Sequence, residues 1–160
     1  LASAVVGASA LLLAGSEKQK SSLLPKVAAG ELTLALALEE SHHHRPTHIN
    51  TTATTEGANI VLNGRKTFVV DGHSADQLLV VARSSGEADS ERGLSLLMVP
   101  RDAPGVSVQR TIMADSRNAA NIVFEQVSVS RRGMGGTGAG AGPRPRSPRR
   151  RNAGSGAGSI

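Results

Sequence analysis

The spacing of apolar residues changes once along this 160-residue chain, from helix-like runs to short β-type runs. At the start, residues 2–14 form an apolar and small-residue run that predicts one helix ending at Gly15. Ser16 and Gln19 then stand three positions apart, the spacing of a capping box, which predicts the start of a second helix. Pro25 lacks the backbone N–H that a helix interior requires, so we expect it to open a separate short helical turn.

Farther along, short aliphatic and β-branched runs alternate with turn residues, which is the pattern of an antiparallel sheet. Asn63-Gly64 lies between two such runs and predicts a β-hairpin, because both central residues of a type I′ turn need a positive φ. No stretch between successive runs is long enough for a crossover helix, which argues against a parallel sheet. The predicted fold class is α+β, with short N-terminal helices followed by an antiparallel β-barrel or sandwich. The predicted strands are 32–38, 59–63, 66–70, 77–82, 94–99, 106–109 and 121–129.

Charge is divided unevenly along the chain, although its formal net value is +5. Residues 131–160 hold seven Arg and no acidic residue, which leaves 11 basic and 13 acidic residues in positions 1–130. This tail is rich in Gly, Arg and Pro and poor in apolar residues, so it is predicted to be disordered. Gly133, Gly135 and Gly138 match GxGxxG, but no strand precedes them and no helix follows, so no dinucleotide loop is predicted.

Two interpretations of the tail other than plain disorder stay open. The Arg cluster at 144–151 is of the kind that binds phosphate backbones without sequence preference, which favours a non-enzymatic β-domain with a nucleic-acid-binding tail as the alternative function. The other interpretation is a shifted reading frame, because GC-rich DNA read out of frame yields Gly, Ala, Pro and Arg in bulk.

Composition excludes several kinds of chemistry. The chain has no Cys, which removes disulfides, thiolate nucleophiles and thiolate metal sites. Aromatic residues make up 1%, too few for a base-stacking platform on single-stranded nucleic acid. The apolar N-terminal run is shorter than the roughly 20 residues that span a bilayer, and no basic leader precedes it. We therefore expect a cytoplasmic protein without a membrane segment.

The densest group of candidate metal ligands is His42, His43 and His44, with His48 close by. Three consecutive imidazoles cannot all face one ion in a regular loop, and a closed site needs defined spacing. We therefore predict a polar loop at 41–48 and no metal, with a metal-responsive loop as the alternative. No GxSxG, Walker or HExxH motif is present, so residue chemistry alone names no activity.

Several segments nevertheless resemble, in order, the motifs of acyl-CoA dehydrogenases. G-S-E-K-Q-K-S-S-L-L-P-K-V-A-A-G-E resembles the G-[ST]-E-x-Q-K-x-x-x-L-P-x-[LV]-A-x-G-E stretch where the first helical domain of that family joins its β-domain. L-A-L-E-E resembles A-L-T-E, and V-L-N-G-R-K-T-F-V-V-D-G resembles V-L-N-G-x-K-x-W-I-T-N-G. A-D-Q-L-L-V-V-A-R resembles the family's A-D-x-x-x-V-x-A-R strand, and two later segments resemble the last strands of its barrel. These segments are 15–31, 36–40, 61–72, 75–83, 97–106 and 121–129.

The resemblance implies a division of the chain and an activity for its parent. Residues 1–30 would end a helical domain, 31–130 would form the middle β-domain, and 131–160 would be the disordered tail. Enzymes of this family remove a proton from the acyl α-carbon with a glutamate and pass a hydride from the β-carbon to FAD, which leaves a 2,3-enoyl thioester. Acyl-CoA is their substrate, an electron-transfer flavoprotein is their partner, and homo- or hetero-oligomers are expected.

The family's base lies in a C-terminal helical domain, and the chain departs from the family pattern after Ser130. The resemblance therefore assigns no catalytic residue here and implies a fragment that is inactive alone.

The resemblance also implies cofactor and substrate contacts. Leu38, Glu39 and Glu40 match the flavin-contacting part of A-L-T-E, and Phe68, Val69 and Val70 match W-I-T. Glu39, Phe68 and Val70 replace the family's Thr, Trp and Thr, so FAD contacts are expected mainly from the backbone. The P-G-A-G-S-D loop is replaced by S-H-H-H-R-P, in which Arg45 is the candidate for the substrate's phosphate. The alternatives are that Phe68 and Val70 belong to the barrel core, that the two glutamates are surface carboxylates, and that Arg45 is an exposed loop residue.

Overall fold

A computed structural model of the chain describes residues 3–114, 118–131 and 134–137. A π-helical turn, Ser3–Gly7, leads directly into helix α1 (Ala8–Ala14), and α2 (Glu17–Ala29) follows. In this part of the chain the strands are β1 (Leu34–Ala37), β2 (Thr52–Glu56), β3 (Asn59–Val70), β4 (Gln77–Arg83), β5 (Leu94–Pro100), β6 (Val106–Ile112), β7 (Asn118–Ser130) and β8 (Met134–Thr137).

Helix α2 carries the predicted capping box. Ser16 Oγ accepts a hydrogen bond from Gln19 N at 3.3 Å, and Gln19 Oε1 accepts one from Ser16 N at 2.8 Å. The prediction that Pro25 opens a separate turn is wrong, because the helix continues through it to Ala29. Pro25 is exposed, so the helix loses one backbone hydrogen bond while the ring meets solvent rather than packed side chains.

The strands form one curled, mixed sheet in the order β6-β7-β3-β2-β4-β5-β8, and β1 pairs with β4. Most neighbours are antiparallel, but β1 runs parallel to β4, and β2 touches β4 in parallel at Thr52 and Arg83. The predicted α+β class is confirmed, and these two parallel contacts are departures from the antiparallel pattern. They arise because β1 leaves the helices in the same direction as β4 and pairs with it 43 positions later along the chain, at Leu34 and Gln77.

The predicted hairpin at Asn63-Gly64 is wrong. β3 is one continuous strand through these residues, and Gly64 pairs with Phe124 of β7. The tight turn lies earlier, where Gly57 has a φ of +60° and β2 folds back onto β3. The sequence analysis missed β2 because T-A-T-T-E buries only Ala53 and shows no apolar alternation.

Two apolar clusters hold the fold together. The larger fills the curled sheet with side chains from most strands, and Phe124 is its largest apolar member. The smaller fastens the helices to the sheet and consists of Leu11, Val27, Leu34 and Leu79. Because burial of one such aliphatic side chain contributes about 1.5–3 kcal/mol, this second cluster is enough to dock the short α1 and α2.

A buried arginine links the loops at one end of the sheet by hydrogen bonds. Arg83, at the end of β4, is 8% exposed, and the described acidic residues form no ion pair with it. Its guanidinium instead donates to backbone carbonyl oxygens in the loops before β2 and after β4. Those acceptors are Thr47, Ile49, Ser85, Ala88, Ser90 and Arg92, at 2.7–3.4 Å.

One segment of the predicted tail forms a strand of the sheet. Met134–Thr137, which falls inside the predicted tail, forms β8 and pairs with β5. The Arg cluster at 144–151 and Gly138 of the GxGxxG match lie outside the described residues. Among the residues that are described, no helix is long and apolar enough to cross a membrane.

Candidate functional site

The two segments predicted to contact a cofactor lie side by side. They are Leu38–Glu40, just after β1, and Phe68–Val70, at the end of β3. Thr67 joins them, because its N–H donates to Glu39 O at 2.8 Å and its Oγ1 donates to Ser41 O at 3.3 Å. The structure thus brings together residues that stand almost 30 positions apart in the sequence.

The contact between these two segments is here called the Thr67 junction. A buried ion pair also links the two segments. Lys66 of β3 is completely buried, and its Nζ donates to Glu40 Oε1 at 2.8 Å and to Leu38 O at 3.0 Å. Glu40 also accepts hydrogen bonds from Thr51 N at 2.9 Å and from Asn50 N at 2.7 Å. The carboxylate therefore connects the chain after β1 to the start of β2 as well as to β3, and Glu40 is not a free surface carboxylate.

The pKa values of this pair follow from its surroundings. Burial by itself would raise the pKa of Glu40, but hydrogen bonds from Lys66, Thr51 and Asn50 outweigh it and lower the pKa to about 2. Burial lowers the pKa of Lys66, against the opposing effect of the Glu40 carboxylate. Glu40 is therefore ionised at neutral pH and serves as a fixed acceptor rather than as a general base.

Phe68 is exposed to solvent at a point where the pairing register between β3 and β7 shifts. The pairing shifts between Lys66 and Val69, Phe68 takes a φ of +54°, and its N–H donates to Asn121 Oδ1 at 3.3 Å. The side chain is 56% exposed, so the alternative that Phe68 is barrel core is wrong. Val69 is 1% exposed and belongs to the core, which leaves only its backbone for ligand contacts, and Val70 is half-buried.

Glu39 forms hydrogen bonds to the loop at 41–46, which stands where the resemblance implies a glycine-rich loop. Its Oε1 lies 2.5 Å from His44 Nδ1, and its Oε2 accepts from Arg45 N at 3.4 Å. The Arg45 side chain is exposed, as the alternative interpretation of that residue expects. His48 pairs with a different carboxylate, that of Asp89, at 2.6 Å. In the described ranges no three His, Cys, Asp or Glu side chains group as a metal site requires, so the metal-responsive loop gains no support.

Two adjoining cavities open beside this junction, with volumes of about 460 and 530 Å³. They share Glu40, Arg65 and Val123 and lie between β3, β7 and the loop after β1. The first is lined by Glu40, Ser41, His42, Arg65, Lys66, Thr67, Asn121, Ile122 and Val123. The second is lined by Glu40, Asn50, Thr51, Gly64, Arg65, Val123 and Phe124.

Sequence reasoning missed Lys66, which connects the site, although a signal for it exists. Ile60 and Leu62 precede it at positions of the same parity in β3, and both are buried. Because alternate residues of a strand face the same side, a lysine in that series must enter the core and needs a buried partner. Asn121 was missed without such a signal, because only the register shift places it beside Phe68.

Comparison with known proteins places this fold in a family. A family model described as acyl-CoA dehydrogenase, middle domain, matches residues 35–127. The acyl-CoA dehydrogenase FadE29 of Mycobacterium tuberculosis is 32% identical over 111 residues, which are 69% of this chain and 29% of that protein.

Solved structures agree with the sequence matches. The ChsE4-ChsE5 complex of M. tuberculosis superposes with a TM-score of 0.73 at 26% identity, covering 81% of this chain and 34% of that one. A glutaryl-CoA dehydrogenase of M. smegmatis in complex with FADH2 gives 0.70 at 25% identity, covering 80% and 33%. The chain thus spans about a third of the length of these proteins. Because the family match includes more than half of the 160 residues, and the described fold agrees with it, the chain belongs to the acyl-CoA dehydrogenase family.

Proposed function

We propose that this chain supplies the flavin-contacting wall of an acyl-CoA dehydrogenase, formed by Leu38–Glu40 and Phe68–Val70, and that it does not oxidise acyl-CoA by itself. The observation that carries the proposal is the junction at Thr67, because it fixes the two segments against each other beside an open cavity. FAD, when bound, accepts the hydride from the acyl β-carbon. The chain's own residues bind and orient that cofactor.

The residues present fit a flavin through an aromatic face and backbone donors. The exposed ring of Phe68 offers an apolar surface on which a flat heterocycle stacks. The backbone N–H groups of Glu39 and Glu40 donate to no described residue, so they are available to ring heteroatoms. Side-chain contacts are fewer than the family pattern implies, because Glu39 is engaged by His44 and Val70 has no hydrogen-bonding group. Affinity for FAD is therefore weak.

The cofactor proposal is tested by titrating the full chain with FAD and following quenching of flavin fluorescence. Saturable but weak binding is expected. Phe68→Ala should weaken it by about fivefold, since one aromatic contact contributes about 1 kcal/mol. Ile112→Ala is the matched control, because Ile112 is also an exposed apolar residue but lies at the end of β6, outside the junction. The absence of saturable quenching, or equal effects of the two substitutions, contradicts the proposal.

Inactivity is tested separately with acyl-CoA, FAD and an electron-acceptor dye. The chain spans about a third of its relatives, and the family's glutamate base lies in a domain that the resemblance does not extend to. No bleaching of the dye is expected. Turnover at about 1 per second or faster, the range of typical enzymes, contradicts this part of the proposal.

For the parent enzyme we propose an acyl-CoA substrate, an electron-transfer flavoprotein as partner and an oligomeric assembly. The structure of the ChsE4-ChsE5 complex supports assembly in a related protein. The nucleic-acid alternative gains no support, because it depends on the Arg cluster at 144–151, which lies outside the described residues.

A further inference from the structure

Strand β6 (Val106–Ile112) forms a free edge of the sheet. It stands at one end of the strand order and, within the described ranges, pairs with β7 alone. Apart from its bonds to β7, its backbone makes one hydrogen bond to the described residues, from Val106 N to Ala103 O at 3.0 Å. Such an edge presents a row of N–H and C=O groups with which another strand can pair. The outer side of β6 is therefore available to a partner.

The features that usually protect such an edge are absent from β6. Its sequence, V-S-V-Q-R-T-I, holds no Pro and no Lys, and no register shift interrupts its pairing with β7. Its one charged side chain, that of Arg110, is turned toward β7, because Nε and Nη2 donate to Asn118 Oδ1 at 3.0 and 2.6 Å. The charge is thus held on the neighbouring strand rather than along the free edge.

The two faces of β6 set different requirements for a partner strand. Val106 and Val108 pack against the larger apolar cluster, whereas Ile112, at a position of the same parity, is 69% exposed. The opposite face is polar and exposed and consists of Ser107, Gln109 and Thr111. A partner strand therefore has to bring an apolar side chain to Ile112 on one face and hydroxyl or amide groups to the other.

A second copy of β6 meets both requirements. Residues directly opposite each other in an antiparallel pair share a face, so the twofold axis between two identical strands passes through one residue position. With the axis at Gln109, Ile112 lies opposite Val106 of the second copy, and Thr111 lies opposite Ser107. Apolar pairs and hydroxyl pairs of this kind stabilise neighbouring strands.

The two neighbouring registers are less favourable. With the axis at Arg110, the two copies of this arginine lie directly opposite each other, and like charges in that position are destabilising. With the axis at Val108, Ile112 lies opposite Pro104, which precedes β6 and has no N–H to donate. The register centred on Gln109 pairs all seven residues and avoids both problems.

We propose that β6 is a self-association edge, at which two copies of this chain pair their β6 strands antiparallel with the twofold axis at Gln109. The sheet then continues from one chain into the other. This inference goes beyond the proposed function and does not rest on it, since β6 lines neither cavity beside the Thr67 junction.

The register is tested with single thiols, because the chain has no Cys of its own. In the proposed pair the two Cα atoms of residue 109 lie about 4.5–5.5 Å apart, within the range of a disulfide. Gln109→Cys should therefore form a disulfide dimer with itself under mild oxidation, read on a non-reducing gel. Ser107→Cys is the matched control, also exposed and on the same face, but its two copies lie about 13 Å apart along the strands. Its cross-linking should be at least tenfold slower.

The complementary pair provides a second reading of the register. Ser107→Cys mixed with Thr111→Cys should cross-link as fast as Gln109→Cys, because these positions are opposite each other in the proposed pair. Circular dichroism confirms that each variant is folded. A Gln109→Cys chain that stays monomeric, or equal cross-linking of Gln109→Cys and Ser107→Cys, overturns the proposal, because random collisions do not depend on register.

A test without thiols uses charge at the axis. Gln109→Lys and Gln109→Glu each place two like charges opposite each other, so each should raise the dimer dissociation constant about fivefold, and an equal mixture of the two should recover the wild-type value. Sedimentation velocity measures this, with Leu13, which is 87% exposed on α1, replaced by Gln in every chain so that the helices do not contribute. Equal constants for all four samples overturn the proposal, whereas its failure leaves the flavin titrations and the proposed function unaffected.

Discussion

At the scale of single residues, the buried Lys66–Glu40 pair explains how a polar junction sits on an apolar core. Lys66 is completely buried and makes two hydrogen bonds, to Glu40 and to Leu38 O. Removing one partner of such a pair leaves an uncompensated buried charge, which typically costs about 3–5 kcal/mol. Lys66→Met should therefore lower the free energy of unfolding by about 3 kcal/mol, measured by urea denaturation.

The matched double variant separates charge from packing. In Lys66→Met with Glu40→Gln the carboxylate is gone while an acceptor for Asn50 N and Thr51 N remains. Its loss of stability should be smaller than that of Lys66→Met alone. A double variant as unstable as the sum of the two single variants means that the pair is not coupled.

The same pair predicts how stability depends on pH. The pKa of Glu40 falls from an unfolded value of 4.5 to about 2 in the folded chain, so the unfolded chain binds more protons between these values. The stabilisation is complete above pH 4.5 and is lost as the pH falls toward 2, and it amounts to about 3 kcal/mol. Urea denaturation of the wild type and of Glu40→Gln should differ most above pH 4.5 and converge near pH 2. A difference that is constant across this range contradicts the prediction.

At the scale of elements, the continuous β3 depends on Gly64. This residue has a φ of +147°, which disfavours side chains, and a Cβ placed there would lie 2.6 Å from Thr51 Oγ1 and 2.7 Å from Thr51 Cα. Gly64→Ala should therefore push Thr51 away from Glu40 and lower the free energy of unfolding by about 2 kcal/mol. Thermal or urea denaturation measures this loss.

A second glycine provides the control for that substitution. Gly57, in the β2–β3 turn, also has a positive φ, of +60°, but a Cβ there has nothing within 4 Å. Gly57→Ala carries the conformational cost without the clash and should destabilise the chain less. Equal losses would show that the close approach of Thr51 to β3 contributes nothing.

At the scale of the whole molecule, the N-terminal helical segment docks one face on the sheet and leaves large apolar side chains exposed on another. Leu13 is 87% exposed and Val5 is 55% exposed, whereas Leu11 is buried. Because burial of a leucine contributes about 1.5–3 kcal/mol, the chain should associate as its concentration rises, and Leu13→Gln should weaken association about tenfold. Sedimentation velocity over a range of concentrations measures this, with Ser21→Gln on the exposed side of α2 as the control. A single monomeric species at all concentrations contradicts it.

The sequence by itself determined the features that depend on neighbouring residues. The Ser16–Gln19 capping box, the end of α1 at Gly15, most strand positions and the motif segments of the family all follow from local spacing. The Asn63-Gly64 signal failed because the same dipeptide also suits a close approach between strands, and only the pairing of Gly64 with Phe124 decides between them.

Tertiary structure alone decided the geometry of the candidate site. Lys66 and Glu40 lie 26 positions apart, Phe68 and Asn121 lie 53 apart, and β1 pairs with β4 across an intervening hairpin. These contacts depend on the register of strands that are distant in sequence, and a shift of one residue would reverse which side chains are buried. Local pattern therefore places the strands, but long-range pairing buries Lys66, exposes Phe68 and opens the pocket between β3 and β7.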